Sequence, residues 1–416
     1  MHARHNEPRD PRLCRFMQIL RQIGNQRFQI QVTMAVNHAA VILGMQMWLF
    51  WIHCHPPMNS ITPDISIIVP LLNEAAELPE LLASLAAQRG IALELILCDG
   101  GSSDGSQKIA STFANEYSFP VKLIQTGPGR GRQMNAGVAA ASADLLLFLH
   151  ADSRFDDSSA LLEAVNFSCS NSTTGGEEFA ARFGLRFRRS DSARALSYFF
   201  YEAKARLPRR DCLRGDQGFL LSRKTFERAG RFDQSLPFLE DLRLVAATPP
   251  QLHWQLLPAS VSTSARRFER EGLLERQILN AIIVNNIEAG WSMFFESLPG
   301  LYRSQCHDST GKLLLFPILD GINTLLKKES ADWQRSFWRS TGQHVAANAW
   351  QLFYWLDARR AFRSGRGAEQ VQPFWLQLYQ TRLEWIFHSL PAAAVARLAV
   401  KLWLRWMLFR GTRRTA

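Results

Sequence analysis

Residues 65–74 read Ile-Ser-Ile-Ile-Val-Pro-Leu-Leu-Asn-Glu. A run of apolar, mostly β-branched residues closed by Pro70 reads as a buried strand, with the polar pair Asn73–Glu74 just beyond it. Downstream, Leu78, Leu81, Leu82 and Leu85 recur at three- and four-residue spacing within Glu77–Gln88, the apolar face of a helix. Leu93–Cys98 is a second strand, Asp104–Phe113 a helix, and Val121–Ile124 a third strand. Arg132–Ala141 is again helical, and Asp144–Leu149 is a fourth strand. This alternation predicts an α/β fold with a mostly parallel sheet flanked by helices.

Beyond Ala265 the sequence turns helical, and after Gly300 almost wholly so, with Val345–Phe362 and Trp375–His388 rich in Trp, Phe and Leu. A final helix is expected over Ala392–Arg410. Arg397, Lys401 and Arg405 stand at i, i+4 and i+8, and Leu398, Leu402, Trp403, Trp406 and Phe409 occupy other faces. The pattern suits an interfacial helix and a packed helix with solvated charges equally. Upstream, residues 1–32 are polar and Arg-rich, and Ala39–Ile52 is apolar but for Gln46. Fourteen helical residues rise roughly 21 Å against roughly 30 Å of hydrocarbon, too short to span. The preceding Arg residues would also orient a spanning helix with the α/β domain outside the cytoplasm. The run begins too late for a signal peptide and lacks a small-residue cleavage site. Met58, directly before the first strand, is a second candidate start, which would leave 1–57 untranslated. The expected division is a basic extension over 1–60 with a short apolar segment, an α/β domain over 61–299, and a basic, Trp-rich helical region over 300–416.

The formal net charge of +11 is unevenly spread. Residues 1–60 hold six Arg against Glu7 and Asp10, and 300–416 hold 17 Lys and Arg against 7 acids, so the middle is slightly acidic. Basic flanks suit an anionic membrane surface. The middle lacks the basic, aromatic-studded module that nucleic acid would require. An apolar fraction of 47% excludes disorder of the whole chain. Six cysteines without a CxxC pair point to reduced thiols in a cytosolic compartment, and His53-Cys54-His55, without a partner cluster, reads as ordinary sequence.

In an open parallel sheet, ligands sit beyond the carboxyl ends of the strands. Polar clusters fall there four times: Pro70–Glu74, Asp99–Gly105, Gly127–Gly137 and His150–Ser153. Carboxylates after the first two strands can accept from a nucleobase and ribose hydroxyls. Glycines such as Gly101 let backbone approach a ligand, and Arg130 and Arg132 can meet phosphate charge. Asp152 can hold a divalent cation against a diphosphate. A dinucleotide fingerprint is a poor match, because the glycine-rich stretch follows the third strand rather than the first and lacks the G-x-G-x-x-G spacing.

Together Ile65–Glu74, Asp99–Gly105, Arg130–Gly137 and Leu147–Asp152 resemble glycosyltransferase family 2. The nearest likeness is to a bacterial subgroup carrying GRGRQMN, LHAD, GDQ and ED, present here with Gly215-Asp216-Gln217-Gly218 and Glu240-Asp241. The subgroup also has an Arg-Arg-aromatic stretch like Arg266-Arg267-Phe268. The resemblance covers about 61–290 and implies a GT-A nucleotide-diphospho-sugar transferase fold, a nucleotide-sugar donor (UDP-linked by preference), a divalent cation (Mn²⁺ or Mg²⁺) and inversion at the anomeric carbon. It implies donor contacts from Pro70, Asn73, Glu74, Asp99, Gly101, Arg130, Arg132, Asn135, Asp216 and Gln217. Asp152 and His150 become the metal candidates. Asp241, beside Glu240, becomes the general base, with Arg266 or Arg267 stabilising the leaving group.

One departure stands out: the family's metal motif is usually Asp-x-Asp, and His150 occupies the first position. Imidazole suits Mn²⁺ better than Mg²⁺. Asp104 reads equally as a helix cap and as a ligand. The expectation is an inverting transferase on the cytoplasmic face of the inner membrane, peripheral to it, with an acceptor hydroxyl that a lipid-linked molecule would supply. A sugar-phosphate nucleotidyltransferase and an inactive transferase-like membrane scaffold stay open as rivals.

Overall fold

The computed structural model describes residues 62–117, 119–171, 178–236, 238–304 and 311–415. The apolar run 39–52, His53–His55 and Met58 lie outside the described residues.

The four expected strands form: β1 (Ile65–Leu71), β2 (Leu93–Asp99), β3 (Val121–Gln125) and β4 (Leu145–Phe148). The sheet then extends through β5 (Ser153–Arg154), β6 (Ala180–Arg188), β7 (Phe219–Ser222) and β8 (Gln255–Ser264), in the order β3-β2-β1-β4-β7-β6-β8-β5. β1–β4 run parallel, β7 is antiparallel to both β4 and β6, β8 is parallel to β6, and β5 is antiparallel to β8. With a helical region appended, this is the α/β, GT-A-type layout that the sequence leads one to expect.

Period-two alternation decides which residue faces which layer. Ile65, Ile67, Val69, Leu93, Leu95 and Leu97 point to a core built with the helices Leu78–Ala86, Ser106–Glu116 and Ala160–Asn171. Ile68, Ile96 and Cys98 point the other way, against Met134 and Val138 of Arg130–Ala140 and Leu244 and Val245 of Glu240–Ala247. Strands buried on both faces need no polar face, which is why β1 and β2 read as near-continuous apolar runs. The exception is Glu94, only 2% exposed. Burial alone would raise its pKa. Hydrogen bonds from Lys122 (2.8 Å) and Ser66 (2.6 Å), with the Ser142 amide, outweigh that and hold it below the usual range.

Helical structure begins upstream of residue 300. The helix Ser292–Ser304 runs through that point, and Trp291, Phe294 and Leu298 share a core with Leu313, Ile318 and Phe337. Val345–Phe362 is not one helix. Ala331–Ala347 ends at Asn348, and Trp350–Arg363 starts afresh to pack on Leu196–Lys204, where the Tyr354 hydroxyl donates to the Ala203 carbonyl at 3.0 Å. Trp375–His388 breaks into Phe374–Leu378, a π-helical turn over Tyr379–Leu383, and Glu384–Phe387. The last helix is longer than expected, Leu390–Thr415. No helix among the described residues is long and apolar enough to cross a membrane.

Candidate functional site

Strand direction gathers the site. The loops after β1, β2, β3 and β4 leave the same edge of the sheet, and strand order reverses between β1 and β4. Because β7 runs antiparallel to β4, its beginning lies at that edge too. Phe219 pairs with Phe148, which sets the turn Gly215–Gln217 beside His150. β8 runs in the same sense as β4, so its end delivers Arg266 and Arg267 there.

On the side of β1, β2 and β3, the polar groups are spent on one another. Asn73 (φ 55°) accepts from the Ser103 amide (2.8 Å), and its own amide donates to Ser102 Oγ (2.9 Å). Asp104 accepts from the amides of Ala75 and Ser106, so it closes the turn ahead of the helix. Asp99 is fully buried and accepts from the amides of Gly101 and Ser102 and from Gln107 Nε2 (2.7 Å). Burial pushes its pKa up, the hydrogen bonds from Ser102, Gln107 and Gly101 pull it down, and the net shift is downward. Asp99 therefore shapes the loop that carries Gly101, and its carboxylate faces that loop.

The glycine-rich stretch is likewise largely structural. Asn135, expected at the donor, clamps Phe232 through both its backbone groups (2.8 and 3.1 Å). Gln133, which sequence reasoning passed over, donates to the carbonyls of Leu71 and Cys98, both at 2.7 Å, and so pins the ends of β1 and β2. A Cβ at Gly137 would lie 2.5 Å from Ile68 Cγ2, so glycine is what lets this helix lie on the sheet. Arg130 and Arg132 remain exposed at its N-terminal end. Pro70 is buried in β1.

Around β4 and β7 the balance reverses. Asp241 is half-buried at the start of its helix, and its Oδ2 accepts from the Gly215 amide at 2.8 Å. A Cβ on Gly215 would come 3.2 Å from His150 Nε2 and 3.6 Å from Asp241 Oδ2, so a bare backbone separates the two side chains. Asp216 Oδ1 and Gln217 Oε1 are buried acceptors with no donor among the described residues. Burial, then the Asp241 and Asp152 charges, pushes the Asp216 carboxyl up to about 6, against Arg214 and Arg130. Burial, then Arg130, holds the His150 imidazole well below its ordinary value, against Asp152 and Asp241. Glu240, expected at the reaction, is 3% exposed, and its pKa is raised by burial first and Asp241 next. At that burial it offers almost no surface to a ligand.

Arg266 is committed, pairing with Glu74 and with Glu77 at 3.3 Å. Glu74 consequently presents an ion pair, although burial raises its pKa overall. Arg267 stands between like charges: burial, then Arg276 and Arg130, lowers its pKa. Arg276, Tyr302 and buried Glu271 are linked by hydrogen bonds of 2.7 to 3.3 Å and bring the helical region up to the site. Phe238 packs tilted against Phe295 (5.8 Å) and Leu239 takes φ 65°, so that region also borders the start of the Asp241 helix. None of these carries a motif that sequence reading could seize on.

Among the described residues, no three His, Cys, Asp or Glu side chains form a ready-made metal cage. A cation held by one or two carboxylates and completed by substrate phosphates needs none. The Asp152 carboxylate receives only a long 3.4 Å contact from Thr263, and Asp216 Oδ1 is orphaned, so the residues fit a cation shared with a diphosphate.

Residues 66–229 match the model of glycosyl transferase family 2. Over this segment the chain is similar to family 2 glycosyltransferase domains. The matched part ends before Asp241, Arg266 and Arg267, which the fold brings to it. The "PGL/p-HBAD biosynthesis glycosyltransferase" of Mycobacterium tuberculosis is 40% identical over 106 residues, covering 25% of this chain and 41% of that protein. An uncharacterized glycosyltransferase of Haemophilus influenzae is 38% identical over 93 residues, 22% of this chain and 30% of that one. The chain thus spans well under half the length of these relatives. Among solved structures, the mannosyltransferase PcManGT of Pyrobaculum calidifontis in complex with GDP-Man and Mn²⁺ is 15% identical, with a TM-score of 0.40 over 89% of this chain and 98% of that one. S. aureus TarS 1–349 in complex with UDP-GlcNAc is 14% identical, with a TM-score of 0.41 over 73% and 92%. At that distance no residue correspondences between this chain and theirs follow.

Proposed function

We propose that the chain transfers a sugar from a nucleotide diphosphate donor, UDP-linked by preference, to an acceptor hydroxyl with inversion at the anomeric carbon. One observation carries this reading: in a chain similar to family 2 domains, Asp152, Asp216 and Asp241 meet Arg130 and Arg267 at one sheet edge, with an acceptor left unpaired among the described residues.

The stitched loops 72–75 and 99–105 form a rigid floor for the nucleoside. Arg130 and Arg267 face the diphosphate. Asp241, steered by the Gly215 amide, takes the acceptor hydroxyl proton as that oxygen attacks the anomeric carbon opposite the diphosphate. The bond to the diphosphate breaks with its electron pair on the departing oxygen, whose charge the arginines meet. A bound Mn²⁺ or Mg²⁺, held by Asp152 with neutral His150 beside it, would supply Lewis-acid neutralisation of the leaving group. The acceptor is a lipid or lipid-linked sugar, reached at the cytoplasmic face of the inner membrane.

The test is thermal unfolding with a panel of nucleotide diphosphates, each with and without Mn²⁺. Ligand at about 100 times its Kd adds roughly 2.7 kcal/mol. A shift with one nucleotide that requires Mn²⁺ and vanishes in Asp152→Ala supports the reading. No shift with any nucleotide sinks it in favour of a scaffold, and pyrophosphate release from a nucleoside triphosphate with a sugar phosphate would favour a nucleotidyltransferase.

A further inference from the structure

The helix Leu390–Thr415 has two apolar faces. Its inner face is accounted for: Trp403, Leu404, Met407 and Leu408 join the core around Phe337 and Ile318. Two glycines make the contact close. A Cβ on Gly342 would lie 2.3 Å from the Ala393 carbonyl, and Gly411 lies directly on the Phe316 ring. The outer face is not accounted for. Val395, Leu398, Leu402, Trp406 and Phe409 follow at intervals of three, four, four and three residues, and each is at least 50% exposed. Those intervals keep all five on one side of a helix, over roughly 21 Å. Immediately upstream, Trp385 and Leu390 are each about three-quarters exposed. Contiguous apolar surface on this scale marks an interaction site.

We infer that this outer face docks on an anionic lipid bilayer, with the helix lying in the plane of the headgroups. The surface rests on the membrane side of the reading above and is independent of the donor and the reaction. Charge selects the occupant. Residues 390–416 carry six Lys and Arg and no acid. Arg397 falls toward the packed face beside Gly342, while Arg405 and Arg410 are exposed on opposite sides of the stripe. Each such cation near an anionic leaflet contributes about 1 kcal/mol. The Arg410 guanidinium lies 4.6 Å over the Trp406 ring and that of Arg413 4.4 Å over Phe409, so fixed positive charge sits directly against the aromatic residues of the stripe. The stripe belongs to one convex helix with a basic border, which suits a flat anionic surface better than a protein groove. Cations in the middle of the helix exclude a spanning orientation.

The full chain is tested by co-sedimentation with vesicles of phosphatidylcholine alone and with 30% phosphatidylglycerol, the fraction being a design choice on the order of natural anionic content. Binding to the anionic vesicles is expected, weakened by salt. The triple variant Leu402→Ser, Trp406→Ser, Phe409→Ser is expected to lose at least ~10-fold in affinity, with its melting curve and nucleotide-induced shift intact. Arg405→Gln with Arg410→Gln and Arg413→Gln should remove the preference for anionic lipid. Vesicle binding unchanged in the triple variant overturns the proposal, whether another segment such as 39–52 covers the stripe or carries the contact itself. A concentration-dependent dimer that the triple variant dissolves, without vesicle binding, also overturns it in favour of a second copy. Loss of the nucleotide shift in the unaltered protein, with vesicle binding retained, would fell the transferase reading and leave this one standing.

Discussion

The two halves of the site treat their polar groups in opposite ways. Beside β1, β2 and β3, Asn73, Asp99, Asp104, Gln133 and Asn135 are consumed in holding loops to one another and to the sheet. Beside β4 and β7, Asp216 and Gln217 keep buried acceptors without donors among the described residues, and carboxylates crowd around a neutral imidazole. A satisfied network is rigid and makes a mould. An unsatisfied one costs free energy unless something arrives to satisfy it. The contrast separates the half that would hold a ligand's shape from the half that would act on it.

Substitutions can break or sharpen that division. The largest effect belongs to Asp241→Asn, expected to slow sugar transfer by about 10³-fold, or roughly 4 kcal/mol, while leaving the nucleotide-induced thermal shift in place. Retained turnover would dissolve the distinction between the halves. Next, Asp152→Ala should remove the Mn²⁺-dependent part of that shift, roughly 2.7 kcal/mol at saturating ligand, read by calorimetry. On the opposite half, Asn135→Ala breaks both clamps on Phe232 and should cost about 2 kcal/mol in denaturant unfolding, with turnover per folded molecule unchanged. A fall in turnover without lost stability would move Asn135 to the reacting half.

The smallest effect has the opposite sign. The Asp216 carboxyl is raised to about 6 from 3.8, so the folded chain holds this proton more tightly than the unfolded chain does. Its unfavourable contribution is complete above pH 6, shrinks as pH falls through that value, and is gone below about pH 3.8. Asp216→Asn should therefore stabilise the metal-free protein at pH 8. A two-unit shift would be about 3 kcal/mol for a wholly enclosed group, and partial solvent contact reduces this to the order of 1 kcal/mol. Melting curves at pH 8 and pH 4.5 check it, the gain being smaller at the lower pH.

Much of the first half was legible in the residues. Asn73, Asp99 and Gly101 follow apolar runs whose period marks them as strands, and a loop after a parallel strand has only one edge to emerge from. What those residues do there was less legible. Asn135 looks like a ligand group in a glycine-rich stretch and Gln133 draws no notice there, and only their partners, 97 residues away at Phe232 and 62 residues away at Leu71, reveal both as stitches. Glu240 and Asp241 are neighbours in the chain, and helix geometry buries the first and leaves the second half-buried.

Local pattern thus determined the layering, the four parallel strands and the loops between them, because side-chain periodicity is a property of consecutive residues. The motif resemblance put Asp216, Asp241 and Arg267 together with Asp152, but only tertiary structure shows how they reach one sheet edge, and it alone adds Tyr302 near Arg267. They arrive on antiparallel β7, on β8 and on helices beyond it, and neither the direction of a strand within a sheet nor the docking of a distant helix is written in the period of its own residues. The same holds for the last helix. Its sequence is apolar on two faces, and only packing shows which face is used and which is left bare.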